Sequence, residues 1–182
     1  VEPEPDRYLP LRVAAAAAEF ELPISPVTLQ NLRRCPIRDS VWDDESRQLF
    51  VRLLASGPAL MRVWEELDFV DIPGRWMPEW LGIRNRPSAS AAHRYTIDRH
   101  SVEVTSRLAR VSAARGEWYD DRHYTALLLA GLLHDVGKRP FVTDHAAEGA
   151  RHAAVIMKRM GFDADIARWV RILVRERSEE HT

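Results

Sequence analysis

The sequence predicts an all-α protein, and three observations carry that expectation. No stretch sustains the two-residue alternation with β-branched enrichment that marks a strand. Apolar residues instead recur at three- and four-residue spacing in one segment after another. Pro and Gly fall where such segments would begin and end.

In order along the chain, the alanine run Ala14 to Ala18 puts the best helix former into Leu11 to Glu21, a helix closed before Pro23. Ser25-Pro26 supplies an N-cap and a proline at the first helical position for a short helix that fades near Cys35-Pro36. Ser40 with Asp43 resembles a capping pattern, and Trp42, Leu49, Phe50, Leu53 and Leu54 follow as an apolar stripe. Gly57-Pro58 breaks that helix and opens another, in which Leu60, Trp64 and Leu67 share a face. Pro73, Gly74 and Pro78 make the next stretch irregular, and Arg84 to Ala92 reads as an exposed loop.

From Asp98 the helices lengthen. One runs to about Arg115, before Gly116, with Val104, Leu108 and Val111 along its buried face. Arg122 to Asp135 is next, and its leucines leave almost no polar side, which assigns it to the centre of a bundle. Asp144 to Met160 follows, stopped by Gly161, and a last helix from near Asp163 presents Ile166, Trp169, Val170 and Leu173. These patterns divide the chain near residue 93, into a helical arm (1–93) and a compact bundle (94–176).

The 182 residues include 46% apolar and 29% charged side chains, which allow a packed core and a solvated surface. With 26 basic against 27 acidic residues the net charge is -1, so no general case exists for binding nucleic acid or an anionic membrane. Cys35 is the only cysteine, which excludes an internal disulfide and a cysteine-rich zinc site. No apolar run reaches the length of a membrane span, and a cytoplasmic protein is expected. The Pro/Glu-rich opening from Val1 to Pro5 reads as the interior of a longer chain. The ending Arg177-Ser178-Glu179-Glu180-His181-Thr182 reads as the in-frame translation of a sequencing adapter, so residues 177–182 are expected to be a non-native tail.

Chemistry concentrates in the second half. His100 lies four residues before Val104, on the stripe expected to be buried, and His134 lies four after Ala130 on the most apolar helix, with Asp135 directly behind it. Burying unpaired ionisable groups costs several kcal/mol or more, and a bound metal is the simplest compensation. Two imidazoles and a carboxylate suit Mn, Fe, Mg or Zn. A lone histidine on an apolar face is more often a satisfied core residue, so the weight rests on the combination with Gly137-Lys138 and Asp144-His145 close behind. Lys138 reads equally well as a surface lysine at a helix C-terminus, and Asp144 as a simple N-cap. His93, His123 and His152 are expected at the surface.

His100, the run Leu132-Leu133-His134-Asp135-Val136-Gly137-Lys138, and Asp144-His145 together resemble the HD superfamily of metal-dependent phosphohydrolases. Within it, Tyr95 to His100 and Asp144 to Ala150 are similar to the bifunctional uridylyltransferase/uridylyl-removing branch of bacterial nitrogen control. Trp64-Glu65-Glu66-Leu67 and Pro78-Glu79-Trp80 resemble that branch's helical stretch before the HD domain. The resemblance implies an HD-domain helical bundle preceded by a helical arm. It implies that His100, His134 and Asp135 hold a divalent metal, Mn²⁺ or Mg²⁺ before Fe or Zn. Asp135, Lys138 and His145 would serve catalysis, Lys138 against a phosphate oxygen and His145 at a second metal or the phosphate. The implied reaction removes UMP from a uridylylated tyrosine of the PII signalling protein, a macromolecular substrate. Two departures stand out. The loop Arg139 to Thr143 is poorer in glycine than the family pattern, and the later His and Asp of the family do not follow Glu176, where Arg177 takes the place of that His. An incomplete ligand set and weak turnover by this chain alone are therefore expected. The alternatives are an HD phosphohydrolase acting on a free nucleotide, against which the arm argues, and a helical interaction module with a vestigial metal site.

Overall fold

Side chains that satisfy orphan backbone donors mark where five of the described helices begin. Ser25 Oγ accepts from the Thr28 N–H (3.1 Å), Asp43 Oδ1 from Ser46 (3.0 Å), Asp120 Oδ1 from His123 (2.8 Å) and Asp144 Oδ1 from Ala147 (2.8 Å). Asp163 Oδ1 accepts from both Asp165 and Ile166 (3.0 Å each). The resulting elements, in a computed structural model that describes residues 6, 8–36, 42–87, 95–111 and 120–177, are α1 (Leu9–Glu19), α2 (Pro26–Arg34), α3 (Asp44–Leu54), α4 (Pro58–Phe69) and α5 (Ile72–Trp76). A 3-10 turn (Pro78–Gly82), α6 (Ile97–Val111), α7 (Asp121–Leu133), α8 (His145–Arg159) and α9 (Ala164–Arg177) complete them. Among the described residues the only β feature is one isolated bridge, Pro87 to Thr96, so the all-α expectation holds. Asp43 is the cap of α3, and Ser40 lies outside the described residues, as do His93 and the tail from 178 onward.

The alanine face of α1 lies buried on α3 and α4, where small side chains let the helices approach closely. Phe50 meets Trp64 and Trp76 with ring centroids 6.4 and 5.9 Å apart, and Trp64 meets Trp80 at 5.3 Å. In the second half α7 is the central helix, between α6 and α9, with Leu128, Leu129, Leu132 and Leu133 wholly enclosed. α8 packs on α9, and α4 packs on α6. The buried side chains from Leu11 to Val174 make one continuous cluster, so the arm and the bundle share a core. The boundary near residue 93 falls outside the described residues.

Three expectations are corrected. The buried face of α6 carries Ser101, Val102, Thr105, Ser106 and Ala109, whereas Val104 and Leu108 are half-buried and Val111 is exposed. The hydroxyls are satisfied locally or across the core: Ser101 donates to the Ile97 carbonyl (3.1 Å), Thr105 to Ser101 (2.9 Å) and Ser106 to Gly57 (2.8 Å). Burying them therefore costs little, and their small volume lets α7 approach. On α9 the enclosed positions are Ile166, Val170 and Val174; Trp169 is half-buried and Leu173 is exposed. His152 is buried rather than superficial, its Nε2 2.8 Å from Glu148 Oε1.

The arm is also tied to the bundle by charge. Arg159 of α8 grips Glu79 of the 3-10 turn with two hydrogen bonds (2.8 and 2.5 Å), and Arg139 donates to the Glu79 carbonyl. Burial pushes the Glu79 carboxyl up, but Arg159 outweighs it and holds the group below its ordinary value. A depressed carboxylate contributes stability above its unfolded-state pKa, near 4.5, and loses it as pH falls through the lower folded-state value. Acid titration below pH 4.5 is thus expected to release the 3-10 turn from α8, and Glu79→Gln should abolish that part of the transition. Thermal melts across the acid range check this; an unchanged acid transition in the variant would count against it.

Candidate metal centre

α7 ends at Leu133, and His134 and Asp135 lie in the turn that follows, His134 as the C-cap with helical backbone angles. His134 sits at that cap, and its Nδ1 lies 2.7 Å from the Gly131 carbonyl oxygen. A carbonyl only accepts, so Nδ1 carries a proton and Nε2 is the nitrogen left for Asp135, 3.4 Å from its Oδ2. A proton on Nε2, or a cation between the two atoms, satisfies both in this buried place. The His100 ring, from the first turns of α6, meets the His134 ring edge-on with centroids 5.3 Å apart. Ligand atoms of His100, His134 and Asp135 all lie within 4.8 Å of one another, the one such cluster among the described residues. Donors bound at about 2.1 Å to one ion sit roughly 3–4 Å apart, so the three fit a divalent metal.

Asp135 is 6% exposed. Burial alone would raise its carboxyl pKa, but His134 and the Lys138 ammonium, 3.0 Å from Oδ2, outweigh it and hold the group well below the usual carboxylate range. Lys138 is thus neither a plain surface lysine nor free: it is the counter-charge of the candidate ligand.

His145 opens α8 and is not part of the three-residue cluster. Its Nδ1–H donates to the Gly137 carbonyl (3.1 Å), leaving Nε2 as the ring nitrogen for another partner. This approach depends on Gly137. A Cβ there would stand 2.1 Å from the His145 carbonyl oxygen and 2.4 Å from the Gly149 nitrogen, both backbone atoms. Asp144 acts as the N-cap of α8, so its side chain is spent on the Ala147 N–H. The sequence reading missed the polar group of His152, Glu148, Glu79, Arg139 and Arg159 between α8 and the arm. The pair Glu148 and His152, one helical turn apart, was the signal available for it.

A histidine on one helix beside a His-Asp pair at the end of the next is the arrangement expected of an HD-type site. Residues 97–180 match the HD domain family. Over nearly its whole length the chain is similar to bifunctional uridylyltransferase/uridylyl-removing enzymes. It is 39% identical to that of Streptomyces coelicolor over 91% of the chain and 19% of the relative. It is 37% identical to that of Mycobacterium tuberculosis (96% and 21%) and 34% identical to that of Corynebacterium glutamicum (94% and 24%). The chain spans about a fifth of the length of these curated relatives.

Proposed function

We propose that this chain is the metal-dependent phosphodiesterase part of a bifunctional uridylyltransferase/uridylyl-removing enzyme, acting in the cytoplasm to remove UMP from a uridylylated tyrosine of PII. The observation that carries the reading is that ligand atoms of His100, His134 and Asp135 all lie within 4.8 Å of one another. In this reading the three residues hold a divalent cation, Mn²⁺ or Mg²⁺, with Fe and Zn compatible with the same donors. Bound there, such an ion polarises a phosphoryl oxygen and lowers the pKa of water.

The chain's own groups do the rest. The Gly131 carbonyl fixes the His134 ring, and a deeply depressed Asp135 carboxyl stays ionised throughout. Lys138, about a third exposed, offers its ammonium to a phosphate oxygen. Water adds to phosphorus and the bond from phosphorus to the tyrosine oxygen breaks. UMP leaves, and the proton that the water gives up is the one the phenolic oxygen takes, passed on by His145 Nε2. In the full-length parent enzyme, uridylylated PII should release UMP far faster than any free nucleoside phosphate is hydrolysed. Faster turnover of a free nucleotide would favour a nucleotide phosphohydrolase, and no stoichiometric divalent metal would favour a non-catalytic helical module.

Lys138→Met is expected to separate binding from turnover. Without a competing ammonium on Asp135, Mn²⁺ affinity should rise by about fivefold, the worth of roughly 1 kcal/mol of ion pairing. Hydrolysis should nevertheless fall, because the phosphate loses its cation. Isothermal titration with Mn²⁺ alongside UMP release checks both signs; weaker binding would contradict the pairing argument.

A further inference from the structure

A cavity of about 320 Å³ lies between α4, the 3-10 turn and α6. Its lining includes neither His100, His134 nor Asp135. Asp98, which does line it, is two residues from His100 and therefore about 200° around the helix from it. Four lining residues carry buried polar atoms with no hydrogen-bond partner among the described residues: Trp64 Nε1, Asp68 Oδ1, Trp80 Nε1 and Asp98 Oδ1. Trp64, Trp80 and Asp98 are each more than nine-tenths buried. Such a concentration is unusual, since buried polar groups are nearly always paired.

The missing partners have a definite chemistry. Asp98 Oδ2 already accepts from the Asn85 N–H (3.0 Å), and Asp68 Oδ2 from Arg84 Nε (2.9 Å), so one oxygen of each carboxylate remains. The cations nearby are committed: Arg84 is shared between Asp68 and Asp71, and Arg99 is paired with Glu65. Burial first, and repulsion from Asp98 in addition, push the Asp68 carboxyl above its usual range despite Arg84. The two open oxygens thus call for a cationic donor, and the two indole N–H groups call for an acceptor. Met61 and Val102 supply apolar wall, and the tryptophan rings favour a nearby cation. The volume matches a small metabolite.

We propose that this cavity binds a small primary amine that also bears an oxygen acceptor, its ammonium between Asp68 and Asp98 and its oxygen at the indole N–H groups of Trp64 and Trp80. The test is calorimetry and tryptophan fluorescence on the full chain with three probes: ethanolamine, n-propylamine and n-propanol. Ethanolamine should bind saturably and about tenfold more tightly than n-propylamine, while n-propanol should not bind. Asp98→Asn, which keeps an oxygen for the Asn85 N–H, should weaken ethanolamine by at least about tenfold. Asp68 is less buried and its Arg84 partner retains Asp71, so Asp68→Asn decides the matter if the first variant does not fold. It should show the same loss with Mn²⁺ affinity unchanged. The proposal is overturned if neither amine saturates, if n-propanol binds as well as ethanolamine, if both folded variants bind normally, or if crystals soaked in ethanolamine hold only ordered water in the cavity.

Discussion

Replacing His134 or Asp135 by alanine is expected to weaken Mn²⁺ binding by more than about a hundredfold and to take UMP release to background. Loss of a partner that merely orients a ligand costs 10–100-fold in metal affinity in typical sites, and these residues are ligands in the proposed function. The effect should exceed that of any surface change, because His134 and Asp135 are buried, at 7% and 6% exposed. Asp135→Asn keeps the shape of the side chain and removes its charge, so it separates folding from binding. Its far-UV circular dichroism should match the parent while its metal affinity falls as in Asp135→Ala. If either alanine variant bound Mn²⁺ with parental affinity, the ligand assignment would be wrong.

Gly137→Ala is expected to be the most destabilising single methyl group in the chain. The added carbon would press on the His145 carbonyl oxygen at 2.1 Å and on the Gly149 nitrogen at 2.4 Å. Neither atom belongs to a side chain that can change rotamer, so α8 must move away from the turn that follows His134. Overpacking a core typically costs 1–3 kcal/mol, and a clash with backbone places this case at about 3 kcal/mol or above. For a domain of this size that lowers Tm by roughly 10 °C. Gly131→Ala is the contrasting variant. Its closest contact, 2.6 Å, is the end of the Leu108 side chain, which can swing aside, so a cost of about 1 kcal/mol is expected. A melt in which both variants lose equal stability would show that the backbone crossing at Gly137 does not limit the packing.

The helices and the pair His134-Asp135 are legible in the sequence because each is marked by a local contrast. Capping residues precede apolar runs, and two ionisable groups follow a helix whose last stretch, Ala126 to Leu133, is only alanine, leucine and glycine. α6 misleads for the opposite reason. Its buried face is built of Ser101, Thr105 and Ser106, whose hydroxyls find carbonyl partners one turn back or on Gly57, so hydrophobicity points to the wrong side of the helix. On α9, Leu173 and Val174 are equally apolar neighbours, and only the approach of α8 chooses Val174. His152 is buried because Glu148 lies one turn away on its own helix and Glu79 arrives from the arm. The second of those partners is distant in sequence. The role of Lys138 is undecidable from its position alone, since the same three-residue offset from Asp135 serves a capping lysine and a counter-ion.

That counter-ion has a consequence for how the centre is filled. Asp135 carries its own tethered competitor, present at an effective concentration that dilution of the protein cannot change. The pair keeps a buried carboxylate neutralised, so folding does not depend on a bound ion. In the proposed function an ion that took Asp135 would displace the Lys138 ammonium, and the same group would return when the ion left. The centre would then exchange its metal without leaving that carboxylate unpaired.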